Sequence, residues 1–361
     1  MERNNMDFAE LNRRIAPPDP CAVLASQEHW AGIAIPIGSL GLLQQTIVRI
    51  AGITGSSCVR IDRRAVVVMC ADNGVVAEGV TQCGAEVTAL VARNIARGNS
   101  SVCKMADAAH AAVIPVDMGM LQPVDEKGLI SRRIAPGTGN IALGPAMTRQ
   151  QAIDAIQAGI DLVRDLKEQG YTMLATGEMG IGNTTTSSAV ASVLLGRPAI
   201  DVTGRGAGLS NEGLKRKIAV IEKAVKCNKP DPSDALDILQ KLGGFDIAGM
   251  AGIFIGGGLY RIPVLIDGFI SAVSALIAQK LCPNCSYSMI ASHVSAEPAG
   301  QMALSALGLK PMITAEMRLG EGTGAVCAWP LLDMAMAVYN NMSTFTDIGI
   351  EAYTPLDGFE E

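Results

Sequence analysis

Two glutamates in this chain stand where a glutamate is out of place. Glu321 lies in Arg318-Leu-Gly-Glu-Gly-Thr-Gly-Ala325, and Glu178 in Gly177-Glu-Met-Gly-Ile-Gly-Asn-Thr-Thr-Thr186. An ordinary glutamate occupies a polar helix face. Flanking glycines mark backbone that turns tightly or passes close to a ligand. Each residue is therefore either a solvated group in a turn or an acid–base group held against a substrate. The glycines around Glu178 run directly into an apolar helix, so converging amide N–H groups and the positive end of that helix suit a phosphate. Asn183 and Thr184 to Thr186 add side-chain donors, or simply cap the helix. A second loop, Thr203-Gly-Arg-Gly-Ala-Gly-Leu-Ser210, precedes Lys215-Arg-Lys217 and could supply another part of the same anion site. The alternative for the basic run is a solvated helix face.

Other candidates carry less. Asp72, Asp246 and Asp267 end apolar runs, where an aspartate also serves as a cap. His293, in Ala291-Ser-His-Val-Ser-Ala-Glu297, is the most suggestive of three histidines but reads more readily as structural. No GxxxxGK[ST] and no GxSxG is present, and Gly137-Thr-Gly-Asn-Ile-Ala142 follows Arg-Arg-Ile-Ala-Pro instead of a strand. A nucleotide-hydrolysing loop, a serine-hydrolase elbow and a dinucleotide fingerprint all fail on these grounds.

The elements that must position these residues alternate. Short apolar, β-branched runs at 65–71, 112–118, 172–176 and 262–266 predict buried strands. Helical stretches are expected at 85–97, 148–169, 185–195, 214–227 and 269–281. That pattern is parallel α/β, and in open parallel sheets ligands bind at the carboxyl edge, where the strands here give way to polar, glycine-bearing loops. The chain ends lack the alternation. Helix-like 40–50 and 330–341 suggest a small helical domain from residues 1–60 and 330–361, beside a large α/β domain at 61–329.

Bulk composition excludes several classes. Of 361 residues, 49% are hydrophobic and 18% charged, which suits a large core and not disorder. Net charge is −6 and aromatics are 4%, so neither a basic footprint nor stacking platforms for nucleic acid are present. The amino-terminal stretch has no apolar signal core. The most apolar region, 247–281, is broken by Arg261 and Asp267, and reads as buried core instead of a membrane span. Nine scattered cysteines without an export signal suggest free thiols in a reducing cytoplasm. Cys282-Pro-Asn-Cys285 has no second pair, and reads as a turn before a metal or redox site.

The loops, in this order, resemble the nicotinate-nucleotide–dimethylbenzimidazole phosphoribosyltransferase family. The blocks are Gly38-Ser-Leu-Gly41, Cys70-Ala-Asp-Asn-Gly74, the stretch 137–147, the loop 177–185, Gly243-Gly-Phe-Asp-Ile-Ala-Gly249, Leu265-Ile-Asp-Gly-Phe269, Ser292-His-Val-Ser-Ala-Glu297 and 318–325. They span about residues 30 to 345. The resemblance implies a Rossmann-like parallel sheet with helices on its faces, a small helical domain from both chain ends, and a dimer. It implies transfer of ribose 5-phosphate from nicotinate mononucleotide to a lower-ligand base of a cobamide, with inversion and release of nicotinate. It assigns Glu321 as general base and Glu178 as a second active-site glutamate. Phosphate contacts carry over to Gly180, Asn183, Thr184, Gly204, Gly206 and Lys217. Leu319, Met179 and Asp246 join the substrate-binding set, and neither metal nor cofactor is required.

Departures from the family pattern cluster near the base. Cys83 and Val91 align with a serine and a glutamine of the family's base pocket, and Met179 replaces a common leucine. Asn73 stands for a histidine, and Ile35-Pro36-Ile37 for lysine–proline–proline. Losing two hydrogen-bonding groups predicts a broader choice of base: other benzimidazoles, a purine or a phenol. A non-catalytic subunit pairing with an active paralogue is the alternative expectation.

Overall fold

The β-branched runs form the centre of the molecule. In the computed structural model, which describes residues 6–354, six parallel strands make one sheet. They are β1 (Arg64–Ala71), β2 (Ala112–Gly119), β3 (Ile130–Ser131), β4 (Met173–Met179), β5 (Val264–Ile266) and β6 (Met289–Ala291), in the order β3-β2-β1-β4-β5-β6. This is the order of a doubly wound Rossmann-type sheet, with its switch point between β1 and β4. All eight residues of β1 are buried, as a central parallel strand covered on both faces requires. Its Val67 pairs with Ile114 of β2 and Thr176 of β4. Strands β3 and β6 were not expected, since two and three residues are too short to show a period.

Alternation along β1 divides the core. Val67 and Met69 join one cluster with Ile156, Ile247 and Phe254, while Val66, Val68 and Cys70 join another with Trp30, Ile47, Trp329 and Tyr339. The first face is covered by the helices Arg149–Glu168 and Phe245–Leu259. The second is covered by helices from both chain ends, among them Pro20–Gly32, Leu42–Thr54 and Thr323–Asn341. The Tyr339 hydroxyl ties those ends together, donating to the Ser57 carbonyl (2.9 Å) and lying within hydrogen-bond distance of the Ser26 hydroxyl (3.1 Å), which can donate to it. The last helix starts at Thr323, so Pro330 lies inside it instead of at its start. Glu321 therefore sits just before a long helix.

Helix Phe269–Leu281 has the bounds the sequence suggests. Cys282 and Cys285 are buried at the short turn Pro283–Ser288, and burial pushes the Cys282 thiol up to about 12. Both behave as core residues. Among the described residues, no helix is long and apolar enough to cross a membrane.

Candidate active site

A cleft of about 210 Å³ opens at the carboxyl edge of the sheet. The ends of β4, β5 and β6 form its floor, through Glu178, Asp267 and His293. Both glycine loops and the 317–323 segment form its walls. The switch point of a doubly wound sheet leaves such a crevice because the flanking helices diverge there.

Glu321 owes its place to its glycines. Gly320, Glu321 and Gly322 all have positive φ (+88°, +60° and +91°), a turn that only glycine adopts without strain. Glu321 alone bears that strain, of about 1–3 kcal/mol, as functional residues often do. Below it, Gly177 of β4 leaves room for the turn: a Cβ there would lie 2.5 Å from the Glu321 carbonyl oxygen. The Glu321 carboxylate is fixed by the backbone N–H of Val102 (3.0 Å), one of the amides that the first turn of helix Ser101–Ala108 leaves free.

Glu178 lies beneath Gly320, whose added Cβ would come 2.5 Å from Glu178 Oε1. The amide of Asn183 donates to Glu178 Oε2 and also to Asp246 Oδ2 (3.0 Å). One side chain thus bridges two carboxyls. Burial pushes Glu178 well above the usual carboxylate range, the Asn183 bond opposes this, and the nearby Asp246, Asp267 and Glu321 charges add to it. Burial likewise pushes Asp246 up to about 6. Asp267, at the end of β5, is pushed up by burial and held down by the adjacent His293, while its Oδ1 accepts the Ala325 N–H (2.9 Å).

The opposite end of the cleft is built for an anion. Lys217 is fully buried and donates to Thr184 Oγ1 (2.8 Å) and to the Gly204 carbonyl (3.2 Å). Burial pulls its ammonium down to about 8, against the opposing pull of the Glu297 carboxylate. Lys215 and Arg216 are exposed, so the basic run is solvated at two positions and buried at the third.

The cleft wall thus brings together Glu321, Glu178, Met179, Gly180, Asn183, Thr184, Gly206, Leu319 and Cys83. Gly204 and Lys217 support the wall from behind Gly206 and Thr184, and Asp246 stands behind Asn183. Asp246 is therefore not a wall residue, because its oxygens are used by Asn183 and by the Ile247 N–H (3.0 Å). Val91 also lies outside the wall. Its helix, Glu86–Ala96, meets the first glycine loop through Thr88 Oγ1, which accepts the Ile181 N–H (3.1 Å), while Val91 packs on the core. Asp267, by sequence either an acid–base candidate or a cap, and His293, read as a structural ring, both face the cleft; Arg205, Ser295 and Glu297 join them.

The chain matches the family model described as phosphoribosyltransferase over residues 15–350. It is 49% identical over 329 residues to the nicotinate-nucleotide–dimethylbenzimidazole phosphoribosyltransferase of Acetivibrio thermocellus, covering 91% of this chain and 94% of that one. It is 43% identical to the protein of the same name from Escherichia coli (strain SE11), over 93% of this chain and 94% of that one. The crystal structure of CobT from Thermus thermophilus superposes with a TM-score of 0.87 at 38% identity, over 92% of this chain and all of that one. A Rossmann-type sheet, a carboxylate on a strained glycine turn and a lysine-backed anion loop coincide with likeness along almost the whole chain, which belongs to the nicotinate-nucleotide–dimethylbenzimidazole phosphoribosyltransferase family of pentosyltransferases.

Proposed function

We propose that this chain moves ribose 5-phosphate from nicotinate mononucleotide to an aromatic lower-ligand base, with Glu321 as general base. One observation carries this reading above others: a fixed carboxylate lines one end of the cleft, and a buried lysine backs the glycine-loop wall at the other through Thr184. Lys217, Thr184 and the loop amides hold the 5′-phosphate. This leaves C1′ toward Glu178 and Glu321. Glu321 takes the proton from the incoming ring nitrogen or phenol as that atom attacks C1′ from the face opposite the pyridinium. The C1′–N bond breaks, and its electron pair returns to the pyridine ring, so nicotinate leaves without an acid. The product is the inverted α-glycoside.

The base end selects by shape more than by hydrogen bonding. Cys83 is exposed in the wall, with Met179 and Leu319 as its apolar companions. A thiol is a weak donor beside the serine hydroxyl that the family carries there. Nicotinate release is measured with dimethylbenzimidazole, adenine, phenol and p-cresol in parallel, and several of them support turnover on this reading. Strict preference for dimethylbenzimidazole defeats the broad-selection part, and no release with any base defeats the whole.

A non-catalytic paralogue finds no support, because Glu178, Glu321 and both loops are assembled and the relatives carry an enzyme's name. The dimer that the resemblance implies, with a like chain or a paralogue, belongs to the same reading, and sedimentation of the purified chain tests it. So does work in a reducing cytoplasm, which the nine free cysteines support.

A further inference from the structure

Ten buried side-chain nitrogen and oxygen atoms lack a hydrogen-bond partner among the described residues, and only one belongs to the cleft wall: Oε2 of Glu297. An acceptor shielded from water and left unpaired is costly, more so when it carries charge. In a binding cleft, that cost is relieved when a ligand brings a donor.

The position of Glu297 narrows which donor. It follows β6 on a short turn, where its own N–H donates to Ser295 Oγ (3.3 Å). Its carboxylate lies directly over Gly204, where a Cβ would overlap it. The Gly204 carbonyl in turn accepts from Lys217. Glu297 is thus one residue removed from the anion end; Ser295 and His293 of the same segment line the cleft with it, and the His293 ring packs against Gly324, three residues from Glu321. A phosphate dianion cannot be its direct partner, since the two would repel. The pyridinium carboxylate is excluded for the same reason. The incoming ring's proton already has Glu321. What remains on a nucleoside 5′-monophosphate are the ribose hydroxyls, which lie between the phosphate and C1′.

We infer that Glu297 is a specificity-determining residue that accepts a hydrogen bond from a ribose hydroxyl, so that the cleft reads ribose against deoxyribose. This rests on the phosphoribosyl-transfer reading given above. A charged acceptor for a neutral hydroxyl also resolves how a carboxylate is tolerated beside a phosphate site: Lys217 offsets its charge, and the sugar fills its free lone pair.

The test is a cycle of two enzymes and three substrates. Nicotinate release is followed with nicotinate mononucleotide and with its 2′-deoxy and 3′-deoxy analogues, for wild type and for Glu297→Ala. The intrinsic reactivity of each analogue cancels when the ratios are compared between enzymes. Wild type is expected to prefer the ribonucleotide over at least one analogue by on the order of 10²-fold more in kcat/KM than the alanine variant does. Glu297→Gln, which keeps one acceptor oxygen, is expected to restore part of that preference, and it serves if the alanine variant does not fold. Equal loss on all three substrates, or weakened inhibition by inorganic phosphate with the sugar preference intact, overturns the inference by placing Glu297 in support of Lys217 alone. Wild type that releases no nicotinate from the mononucleotide overturns the transfer reading instead, and the inference with it.

Discussion

At one end of the cleft the ammonium of Lys217 has a hydroxyl, a carbonyl and one carboxylate, Glu297, for company, and at the other the carboxyls of Asp246, Asp267 and Glu321 surround that of Glu178. Both ends hold charge away from water, and the consequences run in opposite directions. Burial weakens the proton's hold on Lys217, so an arriving phosphate strengthens that end by completing it. Burial and like charge favour the protonated form of Glu178, which removes a negative charge from beside Glu321. The anion end is finished by its ligand. The acid end is eased by the proton that burial favours on Glu178, with no ligand needed.

The sharpest way to break this contrast is to neutralise the acid end at its reacting group. Glu321→Gln keeps the turn and the size of the side chain but cannot accept a full proton. It is expected to lower kcat by about a thousandfold, with KM for nicotinate mononucleotide little changed because the anion end is intact. Comparable kcat in the variant would remove Glu321 from the chemistry. Next in size is Gly177→Ala. The new Cβ meets Glu321 backbone and not a flexible tip, so the turn must move. A displacement of about 1 Å costs about a hundredfold in kcat, again with the anion end spared. An equal rise in KM would show that the two ends do not move independently.

The anion end has its own signature. With Lys217 titrating at about 8, the empty site loses its positive charge as pH rises through that value. KM for nicotinate mononucleotide is therefore expected to climb about tenfold between pH 7 and pH 9, one pH unit above the midpoint costing about 1.4 kcal/mol. Lys217→Met should show a high KM that is flat across the same range. A wild-type KM that does not change with pH would mean that the lysine keeps its proton despite burial.

How far these two ends could be read from sequence depends on how local each signal is. Glu321 and Glu178 announce themselves through adjacent glycines, and the turn that strains Glu321 involves only its neighbours. Lys217 was legible in principle as well. Lys217, Val220, Ile221 and Ala224 fall on one buried helical stripe, whereas Lys215 and Arg216 fall off it. The amide bridge from Asn183 to Asp246 spans 63 residues, and Glu297, on the turn after β6, meets Gly204, on the loop after the short helix Ala199–Val202. Topology makes those contacts, and no local pattern encodes them. Shortness hides β3 and β6, at two and three residues, and Pro330 disguises the start of the last helix.

Asp246 gives the smallest effect on activity and the most direct reading of the acid end. Its folded-state value of about 6 lies above the 3.8 of an exposed aspartate, so the folded protein holds that proton more tightly than the unfolded chain. The resulting stability is fully present below pH 3.8 and is lost as pH rises through about 6, with an upper bound of about 3 kcal/mol. Asp246→Asn cannot titrate. Its thermal stability relative to wild type is therefore expected to improve between pH 5 and pH 7.5, as the wild type comes to carry a buried charge and the variant does not. The asparagine oxygen can still receive the Asn183 amide, but one of the two donors now satisfied by Asp246 then faces an NH₂ group. That loss sets a pH-independent offset in stability and a severalfold fall in kcat. The slope against pH, and not the offset, carries the information. A flat difference in melting temperature across that range would mean that Asp246 stays ionised when buried, and that the acid end is held together by the Asn183 bridge and not by retained protons.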